Sequence, residues 1–305
     1  MSEQAGSGHV QGSGVSHRLD GRVAVVTGAG RGIGAGIARL LAAEGAAVVV
    51  NDLGVELDGS GADTGPAARM ADEITAAGGT AVSDGGDVSD PEVGERLVRT
   101  AVEKFGSLDV VVNVAGILRD RMIFNLTEQE WDDVIRVHLK GHFSTIKPAA
   151  GYWREQRNPD GHYRLVNFTS VSGLFGAPGQ PNYAAAKMGI VGLTYSCANA
   201  LAKYGVTANA ISPGAATRMT ASIPTDRRRT ASDADENSPD NIAPIVAYLA
   251  GTASDWLTGQ VIGARGYEVQ LFNKPTPIRH VVSDGPWEPD RLAQLVERIF
   301  KPAVS

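Results

Sequence analysis

Cysteine is almost absent from this chain: Cys197 is the only one in 305 residues. An internal disulfide is thereby excluded, which fits a reducing, cytoplasmic setting, and Cys197 is expected as a small buried core residue. Long apolar runs are missing too. VVVN ending at Asn51 and VVVNVAGIL from Val110 fall far short of the ~20 residues that span a bilayer, so no membrane segment is expected. Nor is there a cationic excess. Against 28 Lys and Arg stand 34 Asp and Glu, a formal charge of −6, whereas a general nucleic-acid binder needs a cationic surface to displace counterions. The six histidines show no metal-ligand spacing and no carboxylate cluster accompanies them, so no metal is expected. No internal repeat is visible. The opening MSEQAGSGHVQGSGVSH is rich in Gly and Ser and lacks the basic-then-apolar order of a secretory signal; residues 1–18 are read as a disordered tail.

What is present is alternation. From Leu19, short β-branched runs trade places with helical stretches: RVAVVT (22–27) with GIGAGIARLLAAEG (32–45), AAVVVND (46–52) with PAARMADEITAAG (66–78), and TAVSDGGDV (80–88) with PEVGERLVRTAVEKFG (91–106). Then come LDVVVNVAG (108–116), a helix from Thr127 to Ala149, YRLVNFTS (163–170), a helix through NYAAAKMGIVGLTYSCANALAKYG (182–205), VTANAIS (206–212) and a last strand near GQVIG (259–263). Continuous apolar runs suit strands buried on both faces. The alternation predicts an α/β fold over 19–269: one Rossmann-type doubly wound parallel sheet with helices on both faces. Beyond Gln270 the pattern stops. Residues 270–305 are expected to form a C-terminal extension laid on the domain or on a partner subunit, with RLAQLVERIF as one amphipathic helix.

TGAGRGIG (27–34) falls between the first strand and the first helix, so its amides and the helix N-terminus point at whatever lies beyond the strand's carboxyl end. Anions bind at such places. Asp52 ends the second strand, 18 residues past Gly34, where a carboxylate accepts hydrogen bonds from both hydroxyls of an adenosine ribose and repels a 2′-phosphate. NAD is therefore expected over NADP. Arg31 pulls the other way, because a guanidinium can hold that phosphate; Asp52 is given the greater weight, since it acts on the ribose directly.

NYAAAKMG (182–189) sets a phenol and an ammonium four residues apart, neighbours on one helix face. Taken alone, Tyr183 could be an amphipathic core residue and Lys187 a solvated one. In a reaction at a hydroxyl or carbonyl carbon, however, a nicotinamide carries only the hydride, and the protein must move the proton. A free tyrosine has a pKa of about 10, and a cation beside it favours the phenolate; Lys187 is placed to be that cation. Ser170, at the end of YRLVNFTS, can donate to the substrate oxygen as charge develops there. Ser172 competes for that role.

TGAGRGIG, GDV (86–88), NVAG (113–116), Ser170 thirteen residues before Tyr183, Y-x-x-x-K (183–187) and SPG (212–214) together resemble the short-chain dehydrogenase/reductases over roughly residues 19–265. The resemblance implies that Gly28, Arg31, Gly32, Ile33 and Gly34 form the cofactor turn, that Asp87 and Val88 flank the adenine, and that Asn113, Ala115 and Gly116 line the cleft with Pro213 and Gly214. It implies too that Lys187 grips the nicotinamide ribose and that Ser170 is favoured over Ser172. NVAG departs from the usual NNAG, leaving Val114 in a structural position.

A narrower likeness lies in VVVNDLG, AGILRDRM, VIRVHLKGHF and TRMT (217–220). These resemble the (3R)-hydroxyacyl-CoA dehydrogenase part of the peroxisomal multifunctional β-oxidation protein, also called 17β-hydroxysteroid dehydrogenase type 4, and its bacterial single-domain relatives. The chain is expected to be the dehydrogenase alone. At position 138 most members carry an asparagine that supports a water chain from the lysine; here His138 stands, able to relay protons or to be a helix residue bonded to a backbone carbonyl. The implied activity is NAD-dependent oxidation of a secondary alcohol, with (3R)-hydroxyacyl-CoA ahead of a hydroxysteroid and of an inactive NAD-binding sensor. A homodimer or homotetramer assembled through the Tyr183 helix is implied. In the loop 214–239, Arg218 and Arg227 to Arg229 are candidates for coenzyme A phosphates or for a solvated charged surface.

Overall fold

The computed structural model describes residues 18–54, 65–215 and 236–304. Two compact units divide the chain, one ending at Phe272 and one beginning at Asn273.

The first unit is built on an eight-stranded sheet in the order β3-β2-β1-β4-β5-β6-β7-β8. Its strands are β1 Val23–Thr27, β2 Ala47–Asn51, β3 Thr80–Asp84, β4 Val110–Asn113, β5 Tyr163–Phe168, β6 Val206–Gly214, β7 Val261–Arg265 and β8 Glu268–Phe272. All neighbours pair in parallel except β7 and β8. Valine runs carry the centre because both faces are covered: Val26, Val48, Val50 and Val112 pack into one core with Ile37, Leu41 and Leu249. Val25, Val49 and Val111 pack into the other with Leu97, Trp153 and Leu165. From β1 the chain crosses to β2 on one side and later to β4 on the other, so the order reverses beside β1. Ligands of open α/β sheets bind in the crevice that such a reversal leaves at the strands' carboxyl ends.

Helices α1 Gly32–Ala43, α2 Gly65–Ala76 and α3 Pro91–Phe105 make the first crossovers. Helix α3 is well bounded: the Asp90 side chain accepts from Glu92 N, Pro91 stands at the first helical position, and Gly106 ends the helix at φ 88°. The helix expected from Thr127 to Ala149 is longer and broken. It comprises α4 Glu128–Ile135, opened by a Thr127 and Glu130 capping box, a π-helical turn Arg136–Lys140, and α5 Gly141–Gln156. A π turn carries one extra residue per turn and often marks a functional site. Short α6 Val171–Phe175, long α7 Pro181–Leu201 and α8 Ala243–Ala250 complete the layers.

Two differences from the sequence reading are local. The sheet does not end at β7: Gly266, at φ 55°, turns the chain back into β8, whose mixed EVQLF gave little strand signal. Cys197 is half-buried at the margin of the second core, not enclosed by it. No helix among the described residues is long and apolar enough to cross a membrane.

The second unit is irregular up to the helix α9 Pro289–Ile299, followed by α10 Lys301–Val304. Leu292, Leu295, Val296 and Ile299 share the apolar stripe of α9 and are half-buried.

Candidate active site

The carboxyl ends of β1, β2 and β4 are stitched together by their own terminal residues. Thr27 Oγ1 accepts hydrogen bonds from Val114 N at 3.1 Å and Ala115 N at 3.3 Å, tying the glycine turn to the turn after β4. Gly28, at φ 64°, lies so close to that turn that a Cβ would sit 2.8 Å from the Ala115 backbone. The Asp52 carboxylate accepts from Gly30 N at 2.9 Å through Oδ2 and from Gly54 N at 2.7 Å through Oδ1. A neutral side chain at position 52 would loosen the turn as well as change its charge.

These ends open on a cavity of about 450 Å³, within the usual range for a small-molecule site. Gly28, Arg31, Gly32, Ile33, Gly34, Asp52, Asp87, Val88, Ala115, Gly116, His138, Tyr183, Lys187 and Pro213 all line it. Residues scattered over 186 positions thus line one cavity. Helix α1 begins at this cavity, and among the described residues the Arg31 side chain at its N-cap makes no capping bond. Open first-turn amides beside glycines present what a diphosphate needs, and Asp52 lies within the same cavity. The donor set therefore fits a dinucleotide. Asp87 binds Ser89 N at 2.9 Å and Ser89 Oγ at 2.7 Å through Oδ1, and Arg136 at 2.9 Å through Oδ2. Burial works to raise its pKa, but those bonds outweigh it and hold the carboxyl below its ordinary range.

Two expected residues are not on the cavity lining, and a third lies at its edge. Asn113 is not at the cavity wall: its side chain is buried behind β4, donating to Asn167 Oδ1 at 3.1 Å and accepting from Thr145 Oγ1 at 2.7 Å. Gly214 is also off the wall, and a Cβ there would lie 2.9 Å from the Arg265 side chain. Ser170 sits at the end of β5 as the N-cap of α6, just outside the cavity lining. Val114, expected in a purely structural position, does line the cavity.

Tyr183 and Lys187 occupy consecutive turns of α7, and the Lys187 Nζ lies 5.4 Å from the phenol centroid. Lys187 is 3% exposed, and its ammonium donates to the Phe168 carbonyl at 2.7 Å. Burial pushes the Tyr183 phenol up to about 12, against the pull of a hydrogen bond from Ser170 and with the Asp120 carboxylate adding to the rise. Burial likewise lowers Lys187 to about 7. The phenolate expected from a neighbouring cation is thus not reached by Lys187 alone: both charges lose their hydration here, and that cost exceeds their attraction across the gap. Between the two serines the structure discriminates. Ser172 Oγ is spent on Gln180 Oε1 at 2.8 Å, whereas the hydroxyl of Ser170 is the one that reaches Tyr183.

His138 arrives through the π turn. Its Nε2 lies 2.8 Å from Ile117 O and 3.1 Å from Ile117 N, and Gly116 leaves the space its ring fills. Burial first, then the Lys187 cation, lowers its pKa well below the ordinary value, so it is neutral at physiological pH.

Sequence reasoning missed several lining residues: Asn51, Arg119, Asp133, Arg136, Phe168 and Thr169. Asn51 could have been found, because a polar residue ending a valine run at a strand's carboxyl edge is a signal in itself. Arg119, Asp133 and Arg136 carry no such mark; they form a row in which Asp133 lies 3.6 Å from Arg119 and 3.7 Å from Arg136. Arg218 and Arg227 to Arg229 lie outside the described residues. Among the described residues no group of His, Cys, Asp and Glu is placed to hold a metal ion.

A family model described as short chain dehydrogenase matches residues 22–228. The chain is 44% identical over 292 residues to the hydroxyacyl-CoA dehydrogenase ChsB1 of Mycobacterium tuberculosis, covering 92% of this chain and 89% of that protein. It is 43% identical over 254 residues to the peroxisomal multifunctional enzyme type 2 of Drosophila melanogaster, covering 83% of this chain and 40% of that protein. The chain thus spans less than half the length of that second relative. A solved structure of a short chain dehydrogenase from Mycobacterium avium superposes with a TM-score of 0.83 at 45% identity, covering 93% of this chain and 96% of that one.

Proposed function

The chain belongs to the short-chain dehydrogenase family, and from that premise we propose that it interconverts a (3R)-hydroxyacyl-CoA and its 3-ketoacyl-CoA with NAD. That it is an oxidoreductase follows from the family and from its dehydrogenase relatives; the reading as an inactive sensor is set aside. The observation that carries the proposal is that Tyr183 and Lys187 line the same cavity as the glycine turn and Asp52, with Ser170 hydrogen-bonded to Tyr183.

The glycine-turn amides and the start of α1 would hold the diphosphate of NAD, Asp52 its adenosine ribose, and Lys187 the ribose beside the nicotinamide. Bound there, NAD supplies the acceptor for the hydride that leaves the carbinol carbon. Tyr183 Oη takes the hydroxyl proton in oxidation and returns it in reduction. Ser170 donates to the substrate oxygen and, through its bond to Tyr183, lowers the phenol's pKa. Lys187, when it carries its proton, would stabilise the phenolate by its charge. Lys187 is buried while Tyr183 and Ser170 are half-buried, so charge is costly at the lysine and partner groups must offset it.

The acyl-CoA choice is supported by relatives that are named hydroxyacyl-CoA dehydrogenase and peroxisomal hydratase-dehydrogenase-epimerase, at 44% and 40% identity. Preference for NAD over NADP is supported by Asp52, a homodimer or homotetramer by family habit, and a cytoplasmic setting by the lone cysteine. One NADH-absorbance assay tests the substrate. The (3R)-hydroxyacyl-CoA is expected to turn over and the (3S) isomer not; activity confined to a 17β-hydroxysteroid would overturn the acyl-CoA assignment.

A further inference from the structure

Asn182, the residue before Tyr183, is fully buried, and its amide is committed to three backbone groups from three parts of the chain. Its Oδ1 accepts from Tyr183 N at 2.8 Å. Its Nδ2 donates to Arg119 O at 3.1 Å and to Glu130 O at 3.1 Å. The first bond satisfies an orphan donor in the opening turn of α7, where Pro181 offers no N–H. The other two reach the segment that follows β4 and the helix α4. Ile117, Arg119 and Asp133 of those elements line the cavity, as does Tyr183. One side chain therefore ties the wall carrying Arg119 to the turn carrying the phenol.

A second strut runs parallel: Gln180 Nε2 donates to Asp120 Oδ2 at 2.9 Å, and Arg121 N donates to Gly179 O at 2.7 Å. Both of these are exposed or main-chain ties. Among the described residues, Asn182 is the side chain that hydrogen-bonds both this wall and the backbone of Tyr183.

We propose that Asn182 is a positioning residue for the reaction: it holds Tyr183 in register with the cavity wall made by residues 117–119 and α4. The inference rests on Tyr183 as the proton-transfer group. Small displacements of a reacting group lose rate steeply, about 10²-fold for 1 Å, whereas the glycine turn, which Asn182 does not touch, should bind its ligand as before. The geometry also dictates what an isosteric change does. In Asn182→Asp the oxygen facing Tyr183 N is kept, but a carboxylate oxygen replaces the donor between two carbonyls. Repulsion there is relieved when the acid takes up a proton, because a protonated carboxyl donates one hydrogen bond.

The test measures kcat, KM and NAD affinity for the wild type, Asn182→Ala, Asn182→Asp and Tyr183→Phe, with kcat of the aspartate variant followed from pH 6 to 9. Expected is a roughly tenfold or greater fall in kcat for Asn182→Ala with NAD affinity kept within about twofold. For Asn182→Asp, assayed well below its Tm at every pH so that stability does not contribute, the ratio of kcat to wild type is expected to recover as pH falls. A folded alanine variant with wild-type kcat, or an aspartate ratio flat with pH, overturns the proposal. So does failure of both variants to fold, which would make Asn182 a residue of the fold alone. Near-normal turnover by Tyr183→Phe would instead remove the reading on which the inference rests, and the two failures are read from different variants.

Discussion

The imidazole of His138 stands edge-on to the phenol of Tyr183, ring centroids 5.1 Å apart and planes at 88°. His138 Nδ1 is buried and makes no hydrogen bond among the described residues, while Nε2 is held by the Ile117 backbone. Being neutral, the ring can pass a proton only by exchanging the one it holds. His138→Ala is expected to slow turnover by more than it weakens NAD binding, and His138→Asn, which keeps a donor and an acceptor, to restore much of the rate. Full activity in the alanine variant would return His138 to a packing role.

Tyr183→Phe removes the hydroxyl and little else. Turnover should fall at least ~10²-fold, the lower range for general acid–base catalysis. NAD binding measured by fluorescence titration should persist. Near-normal turnover would mean that another group moves the proton.

Asp52 governs cofactor choice in this reading, and its oxygens also bind Gly30 N and Gly54 N. The ratio of kcat/KM for NAD over NADP is expected to be large in the wild type and to narrow roughly tenfold or more in Asp52→Ser, since one negative charge beside a phosphate is removed. The variant should also lose some affinity for NAD as the turn loosens. Equal rates with both cofactors in the wild type would shift the choice to Arg31.

Stability should carry a signature of the buried pair. Lys187 is lowered from 10.5 to about 7, so between those values the unfolded chain holds a proton that the folded chain lacks, and stability rises with pH across that window. Tyr183 is raised from 10 to about 12; there the folded chain keeps the proton, and stability falls as pH rises. Comparing Tm from pH 7 to 9.5 in the wild type and in Lys187→Met isolates the first effect. The variant's curve should be the flatter of the two, and parallel curves would show that Lys187 stays charged in the folded protein.

The alternation of valine runs with amphipathic stretches determined the parallel sheet and its crossovers, because a strand covered on both faces must be apolar throughout and each crossover helix must show one apolar stripe. The glycine turn, Asp52, and Tyr183 with Lys187 were legible for the same kind of reason: each is a local pattern tied to a strand end or a helix face. Tertiary structure alone decided what lies across from them. Asn113 is expected at the cleft, yet its amide turns to Asn167 on the neighbouring strand and to Thr145 of α5, a choice made by partners 54 and 32 residues away. Ser172 was a fair rival to Ser170 until Gln180 was seen to hold it. Asn182 carries no mark in the sequence, because its amide partners are two carbonyls more than 50 residues distant. Local sequence sets which groups a chain presents, while burial and long-range hydrogen bonding set where they point and whether they can hold a charge.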